Sequence, residues 1–299
     1  MSRDCEGSEH SSYWLVIPAY NESATIRGVV ERALMHVPHV IVVDDGSTDD
    51  TAHALAGLPI TVLRHEQNMG KAASLWTGCQ YAISQGACGL ITLDGDGQHA
   101  PEDIPTLLST AYAYPDHLII GARRREQRRR TYKRYLANCV ADFWISWAAG
   151  APFEDTQSGF RIYPISLFRK ITLACGKSRS FVFESEILIE AVRSGYRCVA
   201  VAIGVLPRAE ARASYFLPVV DIARITIMVG GKLLSRGMYL GGLYRSLRYR
   251  PLMHVTNVGM QDRPKKRGAL RPTIGEPCQG ITTRKRHQAE TSRTPGSLS

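Results

Sequence analysis

The stretch from Leu90 to Ile104, LITLDGDGQHAPEDI, is where this chain declares its fold. Leu90, Ile91 and Leu93 have the length and type of a buried strand. Asp94-Gly95-Asp96-Gly97 then stops the strand, because glycine permits the φ values of a tight turn. Two carboxylates at i and i+2 of such a turn can converge on one cation, and oxygen donors suit Mg²⁺ or Mn²⁺ better than a softer metal. The carboxyl end of a strand is also where open α/β sheets bind their ligands. Taken alone, an Asp-Gly-Asp is more often a polar turn whose aspartates cap backbone N–H groups. The surrounding chain has to decide between the two.

Working outward, strand, loop and helix alternate four times in the first hundred residues. Tyr13 to Ile17 is β-rich and ends at Pro18, giving a first strand followed by the loop PAYNES. Ser23 is a candidate cap for a helix to about His36, with Ile26, Val29, Val30, Ala33 and Leu34 at helical spacing. Val40 to Val43 reads as a second strand ending in acids, Asp44-Asp45-Gly46-Ser47-Thr48-Asp49, and Ile60 to Leu63 as a third. A helix from about Gly70 to Ser84 leads into the Leu90 strand. The pattern predicts a doubly wound, mostly parallel α/β sheet. Right-handed crossovers would gather the strand-end loops on one edge, so that Asp44, Asp45, Asp94 and Asp96 face one crevice. The loop after the first strand lacks Gly-x-Gly-x-x-Gly, which disfavours an NAD-dependent oxidoreductase.

Charge narrows the class further. The chain has 299 residues and a net charge of +10, but the positive charge is focused in two places. Residues 255–299 hold nine Lys/Arg against three Asp/Glu, and Arg123 to Arg134 holds eight against Glu126 alone. Nucleic-acid binding would call for aromatic residues interleaved with the basic ones, and only Tyr132 and Tyr135 occur nearby, so no nucleic-acid partner is expected. Seven cysteines are scattered without Cys-x-x-Cys, which favours a reducing compartment over a disulfide scaffold or zinc site. The start, MSRDCEGSEHSS, has no apolar h-region, and no stretch reaches the length of a membrane span. The expected organisation is a flexible segment over 1–12, an α/β domain over 13–214, amphipathic helices over 215–254 and a disordered basic tail over 255–299.

PAYNE at Pro18 to Glu22, VDDGSTDDT at Val43 to Thr51, NMGKAASLWTG at Asn68 to Gly78 and DGDGQHAPEDI at Asp94 to Ile104 occur in the order found in family 2 glycosyltransferases of the GT-A fold. DTQSGFRIY at Asp155 to Tyr163 and FVFESEILIEA at Phe181 to Ala191 resemble the branch that holds dolichyl-phosphate and other polyprenyl-phosphate sugar synthases. Together these motifs span about Tyr13 to Leu234. The set is specific although each motif alone is weak.

The resemblance implies a nucleoside-diphosphate sugar, UDP- or GDP-linked, as donor, with Mg²⁺ or Mn²⁺ neutralising the departing diphosphate. Asp94 and Asp96 would be the Asp-x-Asp pair, Asp96 the direct metal ligand and Asp94 shared between metal and ribose, with Gln98 as a neutral third ligand. His99 would either join them or hold the loop. Pro18, Tyr20 and Glu22 resemble the nucleoside wall, and Asp44 or Asp45 would accept from the base. Lys71, at a helix N-terminus, would lie near the phosphates or in solvent. Ala72 stands where the family often has Gly.

In the acceptor half, Asp155 would act as general base towards a hydroxyl, or orient Arg161 or a phosphate acceptor, or simply pin a loop through an Asp-Arg pair. One of Glu184 and Glu186 would face the site. Arg123 is the candidate acceptor-phosphate contact. Ser214-Tyr215-Phe216 replaces the Ser-His-Phe usual in relatives. The apolar run Val219 to Val229 is broken by Asp221 and Arg224, so a helix packed on the domain or lying at a membrane interface is expected, with Lys232, Arg236, Arg245, Arg248 and Arg250 near headgroups in the second case. These features imply an inverting, metal-dependent transferase with a lipid-linked acceptor such as a polyprenyl phosphate, peripheral on the inner face of the cytoplasmic membrane. The alternatives are transfer to a lipid or glycoconjugate hydroxyl, a nucleotide-sugar hydrolase and a silent nucleotide-binding module. The absence of Gln-x-x-Arg-Trp disfavours a processive synthase.

Overall fold

A computed structural model describes residues 13–124, 132–171, 182–204, 206 and 218–254. Its strands are β1 (Tyr13–Ala19), β2 (His39–Asp44), β3 (Thr61–Arg64), β4 (Gly89–Thr92), β5 (His117–Arg123), β6 (Arg161–Pro164), β7 (Arg197–Ile203) and β8 (Leu252–His254). They form one sheet in the order β3-β2-β1-β4-β6-β5-β7-β8. The expected mostly parallel α/β architecture is present, with one exception. β6 pairs antiparallel with both β4 and β5, so the loop that leads into it lies at the edge where β4 and β5 end.

Alternation along each strand sends side chains to two cores, which is why the strands read as continuous apolar runs. On one face Leu15, Ile17, Val40 and Val42 pack with α1 (Ile26–Leu34) and α4 (Ile104–Ala113). On the other, Val16, Ile41, Val43 and Leu90 pack with α3 (Lys71–Ser84), α5 (Tyr132–Ala149) and α7 (Val182–Arg193). Two short helices are α2 (Thr51–Ala54) and α6 (Ile165–Lys170).

Local expectations shift at three points. β1 runs through Pro18 to Ala19, in register with Val43 and Asp44. The ladder to β4 has ended by Val16, opposite Thr92, so the missing proline N–H costs nothing on that side. α1 starts at Ile26 rather than at a Ser23 cap. The Ser23 N–H instead donates to Asp49 Oδ2 at 3.2 Å, because the 22–25 segment forms its own turn. Cys88 is disulfide-bonded, which goes against the reducing compartment favoured by the scattered cysteines, while Cys79, Cys139 and Cys198 are free.

The last two helices are α8 (Pro218–Leu234) and α9 (Leu240–Arg248). Among the described residues no helix is long and apolar enough to cross a membrane. α8 buries Ile225, Val229 and Leu233 at i, i+4 and i+8 against the core. Lys232 is not a headgroup contact. It turns inward to Glu186 at 3.1 Å and Glu190 at 2.5 Å on α7. The 1–12 segment, positions 125–131 of the basic run, Phe181, the 214–216 motif and the 255–299 tail lie outside the described residues.

Candidate active site

The chain moves from β1 outward to β2 and β3, then returns to β4 on the other side of β1. The loops after β1 and β4 therefore diverge and leave a crevice at the sheet's carboxyl edge, the topological switch point. The loop after β1 is stitched to both neighbours. Asn21 adopts φ +53°, which asparagine tolerates better than most residues. Its N–H donates to Ser47 Oγ at 2.8 Å and its Oδ1 accepts from the Thr48 N–H at 2.7 Å. Thr25 Oγ1 donates to the Gly95 carbonyl at 2.8 Å. Sequence reasoning did not single out Asn21 or Thr25. The signal for Asn21 was an asparagine inside a loop between two strand motifs. Tyr20 and Glu22, half-buried, are held beside the Asp94 turn by this stitching, and Pro18 lies in β1 beneath Gly95.

Asp44 and Asp45 separate in role. Asp45 spends both oxygens on the loop before α3: Oδ1 lies 2.7 Å from His65 Nδ1 and accepts from the Met69 N–H at 2.9 Å, while Oδ2 accepts from the Gly70 N–H at 2.7 Å. Asp44 Oδ1 accepts from the Ser47 N–H at 2.9 Å. Its Oδ2 is buried without a hydrogen-bond donor, with Arg64 Nε at 3.4 Å. Of the two, Asp44 keeps an acceptor open.

Asp94 and Lys71 form the charged centre. Lys71 Nζ stands 2.7 Å from Asp94 Oδ1 and 3.0 Å from Glu184 Oε2. Lys71 is thus neither solvated nor left to the helix dipole, and Glu184, rather than Glu186, is the α7 carboxylate that enters the site. Burial by itself pushes the Asp94 carboxyl up, but Lys71, His99 and Arg161 together hold it below the usual carboxylate range. Burial likewise works against the Lys71 ammonium, and Asp94 and Glu184 more than reverse it, raising its pKa. Gly159 borders this pair so closely that a Cβ there would lie 2.7 Å from Asp94 Oδ2.

Asp96 and Gln98 share the turn. Gln98 Nε2 donates to Asp96 Oδ2 at 2.5 Å and the Gln98 N–H donates to Asp96 Oδ1 at 3.0 Å. His99 is buried against Phe160, its Nδ1 has no hydrogen-bond partner, and burial lowers its pKa. Among the described residues no group of three or more His, Cys, Asp and Glu side chains is arranged as a metal site. Asp94, Asp96 and the Gln98 carboxamide nonetheless offer hard oxygens from a single turn, and the glycine at 159 leaves room beside them. That donor chemistry fits Mg²⁺ or Mn²⁺.

Across the site, Asp155 and Arg123 face each other where β5 ends and the loop before β6 begins. Asp155 Oδ2 accepts from the Arg123 N–H at 2.9 Å and from Nε at 2.7 Å, and Oδ1 accepts from Nη2 at 2.7 Å. Asp155 is fully buried and adopts φ +55°. Among the described residues its cation is Arg123, not Arg161. Arg161 is itself fully buried. It donates to the carbonyls of Thr156 at 2.8 Å, Ser158 at 2.7 Å and Glu184 at 2.7 Å, so it braces the loop against α7.

Comparison with known proteins gives a family and a fold likeness. Residues 14–179 match the family model described as glycosyl transferase family 2. Polyprenol monophosphomannose synthase of Mycolicibacterium smegmatis is 28% identical over 200 residues, covering 63% of this chain and 75% of that protein. UDP-N-acetylglucosamine–dolichyl-phosphate N-acetylglucosaminyltransferase of Methanococcus voltae is 28% identical over 249 residues, covering 76% and 95%. Glucosyl-3-phosphoglycerate synthase of Mycobacterium tuberculosis, solved with Mn²⁺, UDP and glucosyl-3-phosphoglycerate, shares the fold with a TM-score of 0.52 at 22% identity, over 76% of this chain and 80% of that one.

Proposed function

Because the chain belongs to glycosyl transferase family 2 and is therefore a glycosyltransferase, we propose that it moves a sugar from a nucleoside-diphosphate sugar to the phosphate of a polyprenyl phosphate, with inversion at the anomeric carbon. The bond from that carbon to the donor diphosphate breaks as a bond to the acceptor phosphate oxygen forms, and the nucleoside diphosphate leaves with the electron pair.

One observation carries the choice of acceptor. A hydroxyl nucleophile needs a base to take its proton, whereas a phosphate monoester is already an anion. Asp155, for which a role as base was one of the expected alternatives, is buried and committed to Arg123 through three hydrogen bonds. The names of the relatives, a polyprenol monophosphomannose synthase and a dolichyl-phosphate transferase, support the same acceptor class.

On this reading Tyr20, Glu22 and Asp44 hold the nucleoside, with Pro18 as the floor of the wall, and Asp45 shapes the loop beside them. Asp96, Gln98 and Asp94 hold Mg²⁺ or Mn²⁺, which when bound neutralises charge on the departing diphosphate. Lys71 keeps Asp94 oriented and adds positive charge next to that diphosphate. The Arg123–Asp155 pair fixes the rim where the acceptor phosphate enters, and Arg161 supports the loop behind it. The enzyme works at the inner face of the cytoplasmic membrane, where such acceptors reside.

The test is a panel of UDP- and GDP-sugars with Mn²⁺, assayed for nucleoside-diphosphate release with polyprenyl phosphate, with the corresponding polyprenol and without acceptor. Release that depends on the phosphate is expected. Release with the polyprenol overturns the acceptor, release without any acceptor indicates hydrolysis, and silence with every donor indicates a binding module. Asp96→Ala is expected to abolish turnover with the fold intact, and full activity of that variant in excess chelator overturns the metal assignment.

A further inference from the structure

The described surface carries an apolar and aromatic face that the transfer chemistry does not use. On α5, Val140, Phe143 and Trp144 are 48%, 38% and 41% exposed, and on α9 Leu240, Tyr244 and Leu247 are 69%, 64% and 67% exposed. Each set recurs at three- and four-residue spacing, which makes a stripe on its helix. The two stripes are joined through Trp147, whose ring stacks on Trp144 at 5.1 Å. Its indole N–H donates to the Met238 carbonyl at 3.0 Å, at the turn that starts α9. Arg245 Nε donates to the Gly150 carbonyl at 3.2 Å and ties the far side of α9 to the end of α5.

Between Ser235 and Met253 the sequence has four arginines and no acid. Arg248 and Arg250 are exposed. An exposed apolar patch of this kind marks a binding surface. Its composition separates the candidate occupants. A second copy of this chain would bring arginine against arginine, whereas an anionic lipid surface complements the charge and accepts Trp and Tyr at headgroup depth.

We propose that α5 and α9 together form a membrane-docking face that seats on anionic lipid, with Trp144, Tyr244 and Leu247 entering the interface and Arg248 and Arg250 contacting headgroups. It deepens the lipid-acceptor reading by naming the surface that would bring the site to the bilayer. Its test does not depend on turnover.

The experiment is co-sedimentation of the full chain with vesicles of phosphatidylcholine and phosphatidylglycerol, and with phosphatidylcholine alone. Binding to the mixed vesicles, weaker binding to the neutral ones and a blue shift of tryptophan emission are expected. Trp144→Ser/Tyr244→Ser/Leu247→Ser and, separately, Arg248→Glu/Arg250→Glu are each expected to weaken binding by about tenfold or more, since one basic side chain near an anionic surface is worth about fivefold. Circular dichroism and melting of both variants should match the parent. With a water-soluble short-chain polyprenyl phosphate the variants should turn over as the parent does, and with vesicle-embedded acceptor they should be slower. Equal vesicle binding by parent and variants, or none by the parent, overturns the proposal. So does a dimer that the same substitutions dissociate. Vesicle binding without transfer to any polyprenyl phosphate leaves the docking face standing and overturns the acceptor instead.

Discussion

Arg123 and Asp155, 32 positions apart, are locked together by two side-chain hydrogen bonds and one from the Arg123 backbone N–H. The pair joins the end of β5 to the loop that opens β6, and Asp155 takes a left-handed conformation to make it. Asp155→Asn keeps the shape and tolerates that conformation, but removes the charge that Arg123 was buried against. Removing one partner of such a pair costs about 3–5 kcal/mol. Urea unfolding of Asp155→Asn should show a loss in that range. Arg123→Met combined with Asp155→Asn should lose less than the two single changes added together. Strict additivity would mean that the pair holds nothing together.

Gly159 gives a sharper contrast between stability and activity. Its added Cβ would meet the end of the Asp94 side chain, not backbone, and a carboxylate can swing away. Asp94 can do so only by leaving its 2.7 Å contact with Lys71. Gly159→Ala should therefore be less stable than the parent but more stable than Lys71→Met, because Lys71 keeps Glu184 at 3.0 Å as a partner. Turnover should fall by on the order of a hundredfold, the scale of an ångström-sized misplacement in a site. An active Gly159→Ala enzyme would show that Asp94 works from another position. Gly46 is the counterexample, since its φ is +70° and a Cβ would lie 2.6 Å from the Gln67 backbone carbon. Alanine there should destabilise the fold outright.

The half of this molecule proposed to bind the donor was legible because its signals are local. A strand ending in Asp-Gly-Asp and helices with apolar residues at helical spacing fix where chemistry can sit before any tertiary contact is known. The partners of those residues were not legible. Lys71 meets Glu184 across 113 positions, and no local spacing encodes such a contact. Asp155 was left open between general base, orienting Arg161 or the acceptor, and pinning a loop. The antiparallel insertion of β6 between β4 and β5 brings the loop before β6 to the end of β5, where Arg123 waits. Asp44 and Asp45 were interchangeable in sequence, and only the path of the 65–70 loop assigns Asp45 to that loop's N–H groups.

Stability should decline in alkali for reasons tied to two positions. Burial raises the Cys198 thiol from 9.0 to about 12, and burial, then Tyr112, raises the Tyr13 phenol from 10.0 to about 12. In both cases the folded state keeps a proton that the unfolded state has released, so stability falls as pH rises between the unfolded and folded values. The decline should begin above about pH 9 with Cys198 and steepen above about pH 10 with Tyr13. Melting temperatures measured across this range should flatten in Cys198→Ala above the first value and in Tyr13→Phe above the second. An unchanged slope in both variants would place the alkaline transition elsewhere.

Lys71 separates an electrostatic centre from a simple surface cation. It lies between Asp94 and Glu184, which are 27% and 14% exposed, so neither carboxylate is well solvated if the ammonium goes. Lys71→Met should cost about 3 kcal/mol in urea unfolding, towards the lower end for breaking a buried pair because Asp94 retains some water. Two carboxylates left without their cation repel each other, and Glu184→Gln relieves that repulsion while keeping the side-chain volume. Lys71→Met/Glu184→Gln should accordingly be more stable than Lys71→Met alone, although Glu184→Gln by itself removes a favourable contact and destabilises the parent. A reversal of sign between the two backgrounds is the signature of one carboxylate acting on the other through Lys71. If Glu184→Gln destabilises equally with and without the lysine, Glu184 contributes packing alone and Asp94 is held by Lys71 without its help.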